Sequence, residues 1–268
     1  MSEFQEKSNI RVIKEIEVPR LRYFRGKINY NMPLLLSGTD EKGNAVDVPR
    51  TPMTLAQLLD NRVNGANVHD RDLLRDNYTD VAFAEIVDPS GSGEIKYALY
   101  SQPLVRGLFN SLNQESKIKN RGLVVTQEQY AGISSGDCMV VPKDIADDLR
   151  NNGYSHPDKR KEIWVFGAEG DEGLVDGNLD LVQQRISGDI SNRMGIHPSN
   201  YPGLRSWFVL GLDGGRSYAC GRVGLGNDDG RLVGVVAPEA QNASQKLELS
   251  DRVIVGFSLE QVGRLPNY

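Results

Sequence analysis

Arg20-Leu21-Arg22-Tyr23-Phe24-Arg25-Gly26-Lys27 sets four cations and two aromatic rings side by side, and no carboxylate lies between Glu17 and Asp40 to neutralise them. In an extended chain Arg20, Arg22 and Phe24 face one way and Leu21, Tyr23 and Arg25 the other. Cations that hold phosphates beside a ring that stacks on a base are the equipment of single-stranded nucleic-acid surfaces. The same residues also suit an edge strand whose arginines cover the sheet and pair with carboxylates elsewhere, with Tyr23 and Phe24 in the core.

Two acidic segments have ligands that could hold a divalent cation. In His69-Asp70-Arg71-Asp72-Leu73-Leu74-Arg75-Asp76, a helix would put Asp72 and Asp76 one turn apart with His69 on nearly the same face. The interleaved Arg71 and Arg75 and the two leucines equally describe a solvated amphipathic helix. From Glu162 to Asp180 there are six carboxylates and no cation. Within that stretch Asp176, Asn178 and Asp180 have the D-x-N-x-D spacing of a calcium loop. The pattern fails at Leu181, where glycine is needed, and at Ser187, where a bidentate glutamate is needed. An exposed loop feeding a helix is the alternative reading.

Covalent catalysis has little support. Cys138 and Cys220 sit in apolar strand patterns, where cysteine behaves as a small hydrophobe. His156 and His197 each precede proline in polar stretches. Gly221-Arg222-Val223-Gly224-Leu225-Gly226 has a G-x-x-G-x-G arrangement, but strand and turn signals follow it where a phosphate loop needs a helix N-terminus.

The elements that must position these residues are strands and short helices. Asp/Asn-Gly turns between apolar runs predict an antiparallel meander over 206–236, and similar logic predicts hairpins over 81–100 and 34–48. An extended segment is expected over Ile28–Leu36. Helices are predicted at Thr54–Arg62, at Gln102–Leu112 with Pro103 in its first turn, at Lys143–Asn152 and at Asn178–Met194 with Asn178 as N-cap and Gly195 just beyond the end. Ser135-Gly136-Asp137 and Ser250-Asp251 each open a turn, strand and helix pattern, a weak internal similarity. The fold class that follows is α+β, with antiparallel hairpins, a C-terminal meander and short packing helices.

The chain has 268 residues, 39% of them hydrophobic and 25% charged, with a net charge of −5 and two cysteines. These values fit one globular domain over 1–268, with a substructure boundary near 153–162, in a reducing, cytoplasmic setting. No apolar run is long enough to span a bilayer. The functional expectation is a non-catalytic binding or assembly subunit, of a ribonucleoprotein or viral particle. It would need no cofactor, form a homo- or hetero-oligomer, and meet single-stranded nucleic acid or an acidic protein through Arg20, Arg22, Tyr23, Phe24, Arg25 and Lys27. The alternative is a metal-assisted hydrolase using His69, Asp72 and Asp76 or the Asp176–Asp180 loop.

Overall fold

Thr79–Val87 (β3) is buried along its whole length, the behaviour of a strand with both faces covered. In the computed structural model, which describes residues 21–45, 47–134, 138–185, 194–212, 217–228 and 230–236, this strand is the centre of a mixed sheet. Gly203–Val209 (β9) pairs antiparallel along one edge, from Thr79↔Val209 to Val87↔Gly203, with an irregularity between Val81 and Ala84. Ile95–Leu99 (β4) pairs antiparallel with the last part of the other edge. At the first part of that edge β3 meets Arg231–Val236 (β11) in parallel, through Leu232↔Asp80. Leu21–Arg25 (β1) closes the sheet beyond β11, antiparallel from Leu21↔Val235 to Arg25↔Arg231, and Arg50–Pro52 (β2) lies along the opposite edge of β11.

Helices cover both faces. On one, Leu55–Asn64 (α2), Val68–Asp76 (α3), Lys143–Asn151 (α6), Pro157–Gly167 (α7) and Glu172–Gln184 (α8) pack on Val81, Phe83, Tyr97 and Trp207. On the other, Ile28–Ser37 (α1), Pro103–Asn110 (α4) and Gln127–Gly132 (α5) pack on Ala82, Ala84, Ile86 and Leu204. The molecule is therefore α+β, as composition and turn spacing predict. Three predicted helices form with the expected starts: Thr54 caps α2 with a reciprocal Gln57 bond, Gln102 caps α4 ahead of Pro103, and α6 begins at Lys143. The stretch 153–162 includes the first part of α7, whose Ile163 and Trp164 are buried in the first core.

Other expectations change. Ile28–Leu36 is helical rather than extended, because Ile28, Met32 and Leu35 recur at helical spacing and all three are buried. The hairpin expected over 34–48 shrinks to a Thr39↔Ala45 bridge around a turn in which the Asp40 carboxylate accepts from the amides of Lys42 and Asn44. The pair over 81–100 forms, with Val87 opposite Ile95. The 206–236 segment is a meander only at its start. Ser217–Cys220 (β10) neighbours β9, but β11 crosses to the far side of β3 to meet β1. The helix expected at Asn178–Met194 begins earlier, at Glu172, because Asp171 Oδ1 takes the Leu174 amide at 3.0 Å. Asn178 is thus a buried mid-helix residue, and Gly195 lies in the strand Met194–His197 (β8). The paired turns at 135–137 and 250–251 lie outside the described residues.

The last turn before β11 locks the two ends of the sheet edge together: the Gly26 amide donates to the Gly230 carbonyl at 2.8 Å. Gly230 leaves little room for a side chain. A Cβ there would stand 2.6 Å from the Gly26 carbonyl oxygen and 3.0 Å from Asp80 Oδ2. Gly230→Val is expected to cost ~1–3 kcal/mol through overpacking, read as a lower urea midpoint with an unchanged slope. A parental midpoint would mean that this close approach does not exist.

Candidate functional site

The basic strip lies on β1, and its side chains divide between the two faces as strand alternation requires. Phe24 is buried in the second core, and Tyr23 packs against the first. The Arg22 guanidinium donates to Asp47 Oδ2 at 3.3 Å and lies 4.9 Å from the Phe24 ring centroid. Asp47 also receives Arg50, with Nε at 2.6 Å and Nη2 at 3.1 Å. Burial pushes the Asp47 carboxyl up, but these donors outweigh it and hold the group below its ordinary range. Lys27 Nζ sits 3.4 Å from Asp228 Oδ1 and 5.6 Å from the Tyr30 ring centroid. Arg20 lies outside the described residues. Arg22 and Lys27 therefore neutralise carboxylates of the same chain, and neither aromatic ring of the strip stands out from the surface as a stacking platform.

Beneath the strip is a concave site. A cavity of about 180 Å³ is lined by Tyr23, Phe24 and Arg25 of β1, by Asn77 and Tyr78 where α3 gives way to β3, and by Arg231 at the start of β11. Strand pairing puts Arg231 opposite Arg25, bringing two arginines from distant parts of the sequence to one mouth. The Arg231 guanidinium lies 4.9 Å from the Tyr78 ring centroid and donates to Asn77 Oδ1. Tyr78 in turn rests on Phe208, centroids 4.4 Å apart. The Tyr23 hydroxyl is buried with no hydrogen-bond partner. Burial, assisted by the nearby Asp70 charge, raises it far above the ordinary phenol range. An arginine over a ring and a second arginine across from it give the mouth of this cavity a positive charge, the chemistry that favours a negatively charged or strongly polar group.

Asp80 holds this site in place from below. Its Oδ2 accepts the Arg231 backbone amide at 2.6 Å, while Oδ1 has no partner. Burial drives its pKa up to about 7, against the effect of that hydrogen bond.

Among the described residues no group of three or more His, Cys, Asp or Glu is placed to hold a metal ion. His69 is exposed on α3. Asp72 lies 3.6 Å from Arg71, and Asp76 is paired with Arg185 at 2.7 Å. Asp176, Asn178 and Asp180 all fall within α8, where residues two apart point to opposite sides. Asp176 pairs with Lys161 at 3.3 Å, Asn178 is buried and Asp180 is exposed. His156 meets Asp148 at 2.8 Å on the surface, and His197 packs edge-on against Tyr154 and Tyr218. Burial raises the pKa of both Cys138 and Cys220, the reverse of what a nucleophile needs. Among the described residues no helix is long and apolar enough to cross a membrane.

No family model matches the chain, and no curated protein matches it. A solved structure described as "Accommodation of massive sequence variation in Nanoarchaeota by the C-type lectin fold" superposes with a TM-score of 0.51 at 15% identity, covering 80% of this chain and 96% of that one. The likeness is one of fold: this chain's mixed, helix-covered sheet is similar to a C-type lectin fold.

Asp80 gives the site a pH signature. Its folded pKa of about 7 is above the ordinary carboxylate value, so its protonated form is favoured in the fold. Stability tied to this group is full below pH ~4 and is lost as pH rises to ~7. Asp80→Asn should gain on the parent progressively across that window in thermal melts. A parent-minus-variant difference that is flat with pH would show that the Asp80 pKa is not raised in the fold.

Proposed function

We propose that this chain is a non-catalytic binding domain that takes an acidic protein segment at the β1–β11 edge of its sheet. The observation that carries the reading is the convergence on one cavity of Arg25, Arg231 stacked on Tyr78, and the unpartnered Tyr23 hydroxyl. A carboxylate entering there would meet guanidinium donors against low-dielectric walls, where a charge-assisted hydrogen bond is stronger than at an open surface. Single-stranded nucleic acid is the weaker fit, because Tyr23 and Phe24 pack inward and Arg22 and Lys27 are already paired with Asp47 and Asp228. A hydrolase built on His69, Asp72 and Asp76 draws no support from their placement, since both carboxylates sit against arginines and the imidazole is exposed. Assembly into a larger particle would use the same edge, with the acidic segment supplied by a neighbouring subunit.

Fluorescence anisotropy at low salt, with labelled oligoglutamate and a labelled single-stranded oligoribonucleotide as probes, tests this reading. Oligoglutamate is expected to bind, and Arg231→Ala to weaken it roughly tenfold or more, the worth of a hydrogen bond to a charged group. Tyr23→Phe should also weaken binding while leaving the melting temperature equal or higher, because it removes a buried hydroxyl that nothing satisfies. Binding of RNA alone, or oligoglutamate binding indifferent to both substitutions, would overturn it.

A further inference from the structure

A second concave surface lies at the opposite end of β3, where neither the strip nor the first cavity reaches. A cleft of about 300 Å³ is lined by Asn120, Arg121, Ser199, Asn200, Tyr201 and Arg222. Not one of these six is acidic, and two are arginines. Arg121 stands at the tip of the hairpin formed by Ile118–Lys119 (β5) and Gly122–Leu123 (β6). Lys117 and Lys119 on the same hairpin are exposed as Arg121 is. Among the described residues the Arg121 side chain makes no hydrogen bond or ion pair.

The hairpin tip is held in an unusual conformation. Asn120 and Arg121 have φ of 50° and 64°, the left-handed pair of a type I′ turn, whose second position ordinarily belongs to glycine. The surroundings enforce it. Leu225 donates its amide to the Arg121 carbonyl at 2.8 Å. The buried Arg205 binds the Asn120 carbonyl at 3.2 Å and the Tyr201 carbonyl at 2.7 Å, joining the two walls of the cleft from beneath. Buried Glu85 fixes the second wall by accepting the Ser199 amide at 2.7 Å. Arg222 is anchored through Nε to the Pro198 carbonyl at 3.1 Å and through Nη2 to the Arg150 carbonyl, which leaves its remaining N–H donors for the cleft. A left-handed arginine kept in place by buried polar groups is backbone strain of the kind that persists at binding sites.

Carboxylates near the cleft are engaged elsewhere. Buried Glu85, beneath the second wall, accepts the Ser199 amide, and Asp88 and Asp147 line a separate depression that shares Asn200 with the cleft. Asp147 is held by Arg150 at 2.7 Å and by Lys143, and Asp88 accepts from Ser90 and Ser92.

We propose that this cleft is an oxyanion site for the phosphate or sulfate ester of a small polar ligand, with Arg121 and Arg222 on the oxyanion and Asn120, Asn200 and Tyr201 on flanking hydroxyls. Two guanidinium forks and side-chain amides in a lining without an acidic residue match a tetrahedral oxyanion and its polar neighbours. The site is independent of the β1–β11 cavity, so either can fail without the other.

Calorimetry of the full chain at low ionic strength, with inorganic phosphate and inorganic sulfate as probes and chloride as control, tests it. One or both oxyanions should bind, the tighter one identifying the ester. Arg121→Gly should lose roughly tenfold in affinity while melting no lower than the parent, since glycine relieves the left-handed strain. Arg231→Ala, at the other end of the sheet, should bind as the parent does. No oxyanion binding above the chloride control, or unchanged binding by Arg121→Gly, or loss of binding in Arg231→Ala, would overturn the assignment.

Discussion

The central strand β3 is covered on both faces and nevertheless carries two carboxylates, Asp80 near its start and Glu85 near its end. A buried acid is costly unless it is hydrogen-bonded, and each of these accepts a backbone amide, one from the first residue of β11 and one from the loop before β9. Asp80 takes the Arg231 amide and so fixes where β11 begins; Glu85 takes the Ser199 amide and so fixes the loop before β9. Each concave surface is built on one of these bonds. Without the first, Arg231 would not lie on Tyr78; without the second, one wall of the oxyanion cleft would lose its anchor.

Buried cations follow the same logic. Arg62 is fully buried and donates to the carbonyls of Leu74 at 2.8 Å and Leu210 at 3.0 Å, closing the end of α3 against the chain beyond β9. Burial lowers its pKa to about 9. Arg205 does the equivalent at the other end of the sheet, and Arg160 binds the Met194 carbonyl at 3.0 Å where β8 starts. Long side chains with several donors satisfy carbonyls that no strand or helix ladder reaches. The interior charge is thus spent on backbone groups at the joints of the fold, which suits a sheet whose strands arrive from scattered parts of the sequence.

Several local elements were legible from the residues, although Ile28–Leu36 was not and the helix around Asn178 was misplaced; the long-range pairing was not legible. Caps and turn residues act over a few positions, so the starts of α2, α4 and α6 and the β3–β4 pair can be read directly. The crossing of β11 from β10 to β1 has no local signal, and it is what brings Arg231 opposite Arg25. The first cavity was therefore half visible: Tyr23, Phe24 and Arg25 stand out as a strip, while Asn77, Tyr78 and Arg231 look unremarkable in sequence. The strip's charge invited an open polyanion surface because its neutralising partners, Asp47 and Asp228, are remote or lie across a turn. The alternation Lys117, Lys119, Arg121 was a readable sign of a second basic surface; Arg222 and Tyr201, which complete it, were not. Gly177 reads as a loop residue next to acidic neighbours, yet it lies within α8, where a Cβ would come within 3.0 Å of Val63.

Hydrogen exchange of the Arg231 and Ser199 amides, followed by NMR in the parent, in Asp80→Ala and in Glu85→Ala, tests most directly the claim that two buried carboxylates set the two ends of the sheet. Both amides should be strongly protected in the parent. Asp80→Ala should release Arg231 far more than Ser199, and Glu85→Ala should do the reverse. Rapid exchange of either amide in the parent, or equal release of both by either substitution, would contradict the account.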